Sequence, residues 1–351
     1  MAKPEGKPTA YPEFAKDDYF KIDVECHLSG EANKKYFNYF PEYRKWVYGT
    51  AETARAFNAV PHHVTKDWKE PPVTKAEKSD MAEEDQLIVY LDRYGVDMAC
   101  ILPESMMETT GYSTKWSTNG QLLLAAEKYP DRLIVQPNLG PFIKRGMKDV
   151  LWELDYLVKE RGCKLFKFYP PEDTYINDER LWPFYKRAEE LGVTVSIHTG
   201  WSWCPPGKAK YALPVLLDDV VNDFYDLKII AFHAGWPLCH ELNMVALSHP
   251  KVYISLSLIM PWYKAAPRRL AEIIGEAIQF AGPERIVWGT DFYGPGGLFR
   301  EAVIGLRTFE MPEDLQKGYG FAPVTDEIKR GIFGTNLAKI LGVDTSKRRV
   351  K

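Results

Sequence analysis

Short apolar runs rich in Val, Ile and Phe recur along the whole chain, and most intervals between them carry a stripe of helical period. The runs are FKIDVECH (20–27), DMACILPE (97–104), LIVQPNLG (133–140), CKLFKFYP (163–170), TVSIHTG (194–200), KIIAFHAG (228–235), VYISLSL (252–258) and RIVWGTD (285–291). After the first, their starts are spaced like a strand plus its crossover helix. KDVLWELDYLVKERG and ERLWPFYKRAEELG are two such crossovers, each with an apolar stripe and a closing glycine. Eight parallel strands joined by right-handed helical crossovers close into a (β/α)8 TIM barrel, and that α/β fold is predicted for residues 1–351 as one domain. The segment TDEIKRGIFGTNLAKILG reads as C-terminal helices closing the barrel, with Thr325 or Asp326 as the cap.

One interval breaks the rhythm. Residues 28–80 separate the first strand from the first amphipathic helix, AEEDQLIVYLDRYG, and include the aromatic stretch YFNYFPEYRKWVYG. This insertion is too aromatic for a disordered linker and reads as a lid or an oligomer arm. A shorter irregular piece, WSWCPPGKAKYALP, follows strand five and could wall the same cavity.

A parallel barrel carries its active site at the C-terminal ends of its strands. Strand one ends in Glu25 and His27, strand two in Glu104, strand five in His198, strand six in His233 and strand eight in Asp291, while strand four contains Lys167. Side chains alternate along a strand, which puts Glu25 and His27 on one face and Val24 and Cys26 on the other. Glu25 and His27 would then meet His198 and Asp291 in the barrel mouth. A buried cluster of carboxylates and imidazoles is better stabilised by a cation than by its own repulsions. Oxygen and nitrogen donors without sulfur suit zinc, manganese or iron. Asp23, deeper on the strand, reads as a hydrogen-bond acceptor supporting the site or as a ligand. Lys167 reads as an ion-pair partner or a site residue, Glu104 as a residue facing substrate, and Trp201, Trp203 and Trp236 as an aromatic cavity wall or as core. His240 is expected on a helix, and His62, His63 and His249 in solvent.

Composition narrows the partners. A formal charge of -3 and a pI near 6.2 leave no electrostatic footprint for nucleic acid or an anionic membrane, so a small-molecule substrate is expected. The N-terminal stretch lacks the apolar core of a signal peptide and no run approaches a membrane span, which points to the cytoplasm. Five scattered cysteines without a CxxC signal neither a disulfide framework nor a thiolate zinc site. Cys26, Cys100 and Cys163 sit in apolar runs as small hydrophobes.

The motifs DVECH, SIHTG, AFHAGWP and VWGTDF together resemble the amidohydrolase superfamily, and within it the amidohydrolase-2 branch, from about residue 20 to 343. That branch includes nonoxidative decarboxylases of aminocarboxymuconate semialdehyde and of hydroxybenzoates. The resemblance implies that Glu25 and His27 are the strand-one ligand pair, with glutamate in place of the first histidine of the commoner HxH form. It implies that His198 is the strand-five ligand and that Asp291 is both ligand and acid/base. His233 corresponds to the strand-six histidine, which contacts substrate or water in mononuclear members and a second metal in binuclear ones. Lys167 corresponds to the strand-four lysine that is carboxylated in binuclear members.

Four readings follow. The first is a C–C lyase using one divalent metal, Zn, Mn or Fe, to decarboxylate a small acid, with Asp291 or His233 delivering a proton to the carbon that loses carbon dioxide. The second is a metal-dependent hydrolase of a lactone, amide or ester. The third is an oxygen-dependent hydroxylase whose Fe/Fe or Fe/Mn pair would be held by Glu25, His27, Lys167, His198, His233 and Asp291. The fourth is a non-catalytic subunit paired with an active paralogue. A homo-oligomer or a hetero-oligomer with a paralogue is expected.

Overall fold

The structure is a computed structural model that describes residues 14, 17–28, 83–103, 117–201, 207–291 and 299–350. The insertion at 28–80 (apart from Leu28), Glu104, Trp203, His62 and His63 lie outside those residues. In chain order the strands are β1 (Ile22–His27), β2 (Met98–Leu102), β3 (Leu133–Val135), β4 (Leu165–Phe168), β5 (Thr194–Ile197), β6 (Lys228–Ala231), β7 (Val252–Ser255) and β8 (Ile286–Val287). All ladders are parallel, β1-β2-β3 on one side and β4 through β8 on the other. The two arcs are joined at one seam by the Asn138–Lys167 bridge, with Lys167 N donating to Pro137 O at 2.7 Å, and at the other by Val24 N donating to Trp288 O at 3.2 Å. The chain is therefore the (β/α)8 barrel expected from its pattern.

Helices fill the crossovers. They are α1 (Glu83–Arg93), α2 (Asn119–Lys128), α3 (Phe142–Arg145), α4 (Met147–Lys159), α5 (Trp182–Glu190), α6 (Leu217–Asp223), α7 (Cys239–Ser248), α8 (Trp262–Ala265) and α9 (Pro267–Ala281). After β8 come α10 (Phe299–Arg307), α11 (Glu313–Tyr319), α12 (Asp326–Arg330) and α13 (Asn336–Leu341). Thr325 is the cap of α12, its hydroxyl accepting from Ile328 N at 3.3 Å. Among the described residues no helix is long and apolar enough to cross a membrane.

The strands show the alternation that two-sided burial requires. On β6, Ile229 and Ala231 join the large core shared with the helices, while Ile230 and Phe232 belong to a second cluster with Ile22, Val24, Leu165 and Val287. Leu337 and Leu341 of α13 close that second cluster. On β1 the alternation departs from expectation. Asp23 pairs with Ala99 and Cys26 with Ile101, so β1 carries one extra residue between them. Such a bulge changes which way the following side chains face. Val24 consequently packs with the inner cluster and Cys26 with the outer one, not together as simple alternation predicts.

Candidate active site

Most strands stop short of the ends of their apolar runs, because the chain turns away at the site end. Among the described residues, four non-glycine residues have left-handed backbone, and they include His233 (φ 60), Leu258 (φ 70) and Asp291 (φ 56). Such conformations cost about 1–3 kcal/mol each and cluster at functional sites. His233 lies in a 3-10 turn just past β6, not on the strand itself. The SIHTG run ends in Gly200 (φ 82), where a Cβ would come within 2.2 Å of Trp236 O, so only glycine lets the β5 and β6 exits approach. There Trp201 N donates to Trp236 O at 2.8 Å, and the Thr199 hydroxyl to Phe232 O at 2.7 Å.

The polar groups meet in the barrel mouth. One donor atom each from Glu25, His27 and Asp291 lies within 4.8 Å of the others. His27 Nε2 is 3.0 Å from Asp291 Oδ1 and 3.9 Å from Glu25 Oε1. Lys167 Nζ donates to Glu25 Oε1 at 2.9 Å, and its ammonium sits 3.8 Å from the centroid of the Phe232 ring. Ser257 Oγ donates to Glu25 Oε2 at 2.6 Å and lies 3.2 Å from His233 Nδ1.

His198 stands apart from the Glu25, His27 and Asp291 group. Its Nε2 is 2.7 Å from Trp201 O, and its Nδ1 is 3.1 Å from His233 Nε2. A carbonyl can only accept, so the network assigns the His198 proton to Nε2 and leaves a lone pair on Nδ1. Burial, together with the His233 and Lys167 charges, holds the His198 pKa well below its ordinary value, so the ring is neutral near pH 7. Burial would raise the Glu25 carboxyl, but the Lys167, His233 and His27 charges and the Ser257 hydrogen bond outweigh it and hold Glu25 ionised.

Asp23 is fully buried. Its Oδ1 accepts from Glu25 N and Thr290 N, each at 3.0 Å, and its Oδ2 from the Thr290 hydroxyl and from Cys26 Sγ at 3.1 Å. Burial pushes its pKa up to about 7, against those four bonds that favour the charged form. The carboxylate ties β1 to the turn that carries Asp291.

The family model for amidohydrolases matches residues 22–343. The chain belongs to the amidohydrolase family. No curated protein sequence matches this amidohydrolase. Among solved structures, an uncharacterised TIM-barrel protein from Bordetella bronchiseptica is 17% identical with a TM-score of 0.64, covering 92% of this chain and 98% of that one. The 5-carboxyvanillate decarboxylase LigW from Sphingomonas paucimobilis is 14% identical with a TM-score of 0.60, covering 93% and 100%. A dihydroxybenzoic acid decarboxylase from Polaromonas sp. JS666, with bound manganese and the inhibitor 2-nitroresorcinol, is 13% identical with a TM-score of 0.60, covering 93% and 97%. At these identities the likeness establishes the barrel.

Sequence reasoning missed several parts of the amidohydrolase mouth. Ser257 sits two residues past β7 in a run read only as strand. Tyr169 packs edge-on to the His198 ring at 4.6 Å between centroids. Trp262 is a core residue whose ring lies 5.1 Å from Trp236, which is itself 6.2 Å from Trp201. His249 corrects an expectation: it is buried rather than solvated, its Nε2 reaching Asp218 Oδ1 at 3.2 Å from the turn between α7 and β7. His240 lies on α7 as expected and pairs with Glu276 at 3.0 Å.

Proposed function

We propose that this amidohydrolase is a metal-dependent decarboxylase, a C–C lyase acting on a small carboxylated substrate with an aromatic or conjugated body. The observation that carries the reading is the convergence of Glu25, His27 and Asp291 at the strand exits. Two carboxylates and an imidazole fit a divalent cation such as manganese, zinc or iron. When bound, that cation would orient the substrate carboxylate and stabilise developing negative charge.

The chain's own residues supply the rest. Trp201, Trp236 and Tyr169 offer apolar faces to a planar substrate, with few polar groups to fix its orientation, as small-ligand sites require. When the bond from the substrate body to its carboxylate breaks, carbon dioxide leaves and the bonding electron pair remains on carbon. Asp291 or His233, both at the mouth, then places a proton on that carbon.

Reaction of the manganese-loaded protein with hydroxybenzoate- and muconate-like acids in D2O tests this reading. Carbon dioxide release with one deuterium at the vacated carbon is expected. Turnover that adds water without releasing carbon dioxide would overturn it in favour of a hydrolase or hydratase.

A dinuclear, oxygen-dependent hydroxylase is the second reading, favoured by one geometric feature. His198 Nδ1 accepts from His233 Nε2 at 3.1 Å, and with that proton displaced the nitrogen pair beside Lys167 could take a second cation. About two metals per chain, including iron, with oxygen consumption would select it.

A further inference from the structure

The expected ligands and acid/base groups all come from apolar runs that end in charged or imidazole residues, whereas β7 contributes an uncharged residue. Ser257 is fully buried and stands between the two halves of the mouth. Its hydroxyl is 2.6 Å from Glu25 Oε2 and 3.2 Å from His233 Nδ1. An ionised carboxylate only accepts, so the hydroxyl proton goes to Glu25. The two Ser257 atoms facing His233 Nδ1 are then both acceptors, the hydroxyl oxygen at 3.2 Å and the carbonyl oxygen at 3.4 Å. This arrangement makes His233 Nδ1 a donor to Ser257 and turns Nε2 toward His198 Nδ1, to which it donates at 3.1 Å.

We propose that Ser257 is a positioning residue whose hydroxyl orients Glu25 and His233 together, linking the group around Glu25 to the histidine pair. The backbone is built to hold it there. The β7 ladder ends at Ser255, whose hydroxyl accepts from Ser257 N at 3.2 Å, and Leu258 turns the chain away with φ 70. Opposite it, Gly289 leaves the space empty: a Cβ at that position would lie 3.0 Å from Ser257 Cβ and 2.9 Å from Val24 Cγ1. Groups that orient metal ligands are commonly worth about ten- to a hundredfold in metal affinity.

This inference rests on the metal-centre reading, and Ser257→Ala and Ser257→Thr test it in the full chain. The expected result is Mn2+ affinity weakened about tenfold or more in the alanine variant and restored by threonine, which keeps the hydroxyl. In metal-free protein labelled with 15N-histidine, the His233 Nδ1–H resonance should move in Ser257→Ala and stay in Ser257→Thr. Wild-type affinity together with an unmoved resonance in Ser257→Ala overturns the proposal. Equal loss in both variants also overturns it, because packing and not the hydroxyl would then be responsible. If the wild type binds no Mn2+, the metal-centre reading fails, and the ring resonance, read without metal, still decides the role of Ser257.

Discussion

Replacing Lys167 with methionine separates the roles open to this lysine. Lys167 is 3% exposed and its partner Glu25 is 1% exposed, with 2.9 Å between Nζ and Oε1. Methionine keeps the unbranched stem against Phe232 but leaves the Glu25 charge buried without its nearest cation. Removing one partner of a buried ion pair costs about 3–5 kcal/mol. Glu25 would keep the Ser257 hydrogen bond and the imidazoles of His27 and His233 at 3.9 and 3.7 Å, so the low end, about 3 kcal/mol, is expected. With 351 residues the unfolding entropy is about 0.7 kcal/mol/K, which converts that loss into a fall of about 4 °C in Tm.

The assay is thermal unfolding of Lys167→Met and wild type, each stripped of metal and then titrated with Mn2+. A cation that binds only the folded state stabilises it by mass action and gives Glu25 a replacement partner. If one metal binds through Glu25, His27 and Asp291, the Tm gap should close as Mn2+ is added and affinity should hold or tighten. If Lys167 instead becomes a carboxylated bridge between two metals, the variant should lose metal and the gap should widen. An unchanged Tm in the metal-free variant would refute the claim that Lys167 compensates Glu25.

Three further outcomes are expected. Asp291→Ala or His27→Ala should abolish stoichiometric metal binding, measured by elemental analysis, while far-UV circular dichroism still reports a folded barrel. Gly289→Ala should destabilise by about 1–3 kcal/mol in urea unfolding, since its Cβ would press on Val24, Ser257 and Asp23 at 2.9, 3.0 and 3.3 Å; wild-type stability would mean that the β1, β7 and β8 exits can spread. Asp23 holds its proton up to about pH 7 when folded and to about 3.8 when unfolded, so its contribution is full below pH 3.8 and is lost as pH rises through 7. Metal-free Asp23→Asn should therefore show a flatter decline in stability between pH 4 and 8 than wild type; identical slopes would remove Asp23 as the cause.

The barrel was legible because its signal is repeated. Each strand is buried on both faces and reads as an apolar run, and runs such as KIIAFHAG and RIVWGTD also carry the site residue just beyond the strand. The donors Glu25, His27 and Asp291 could be found for the same reason: they interrupt apolar sequence where burial makes charge costly. Ser257 gave no such signal, since a serine among VYISLSL is cheap to bury and its partners Glu25 and His233 are distant in sequence. The bulge on β1 was equally hidden. It depends on pairing with β2, and no local property of DVECH requires the extra residue.

The same hidden backbone choices explain why the site donors converge at all. In straight strands His233 and Asp291 would continue their ladders, and alternation alone would decide their direction. Left-handed turns at His233, Leu258 and Asp291 and the bulge between Asp23 and Cys26 instead re-aim the exits of β6, β7, β8 and β1 one by one. Each turn is locally unfavourable, and each is held by a bond between strand exits: Thr290 to Asp23, Ser257 to Glu25, His233 to Ser257. The strain and the restraining bonds form one connected set around Glu25. A variant that removes one restraining bond should therefore disturb metal affinity more than its effect on global stability suggests. Ser257→Ala is the sharpest case, because it removes a single oxygen yet releases both Glu25 and His233.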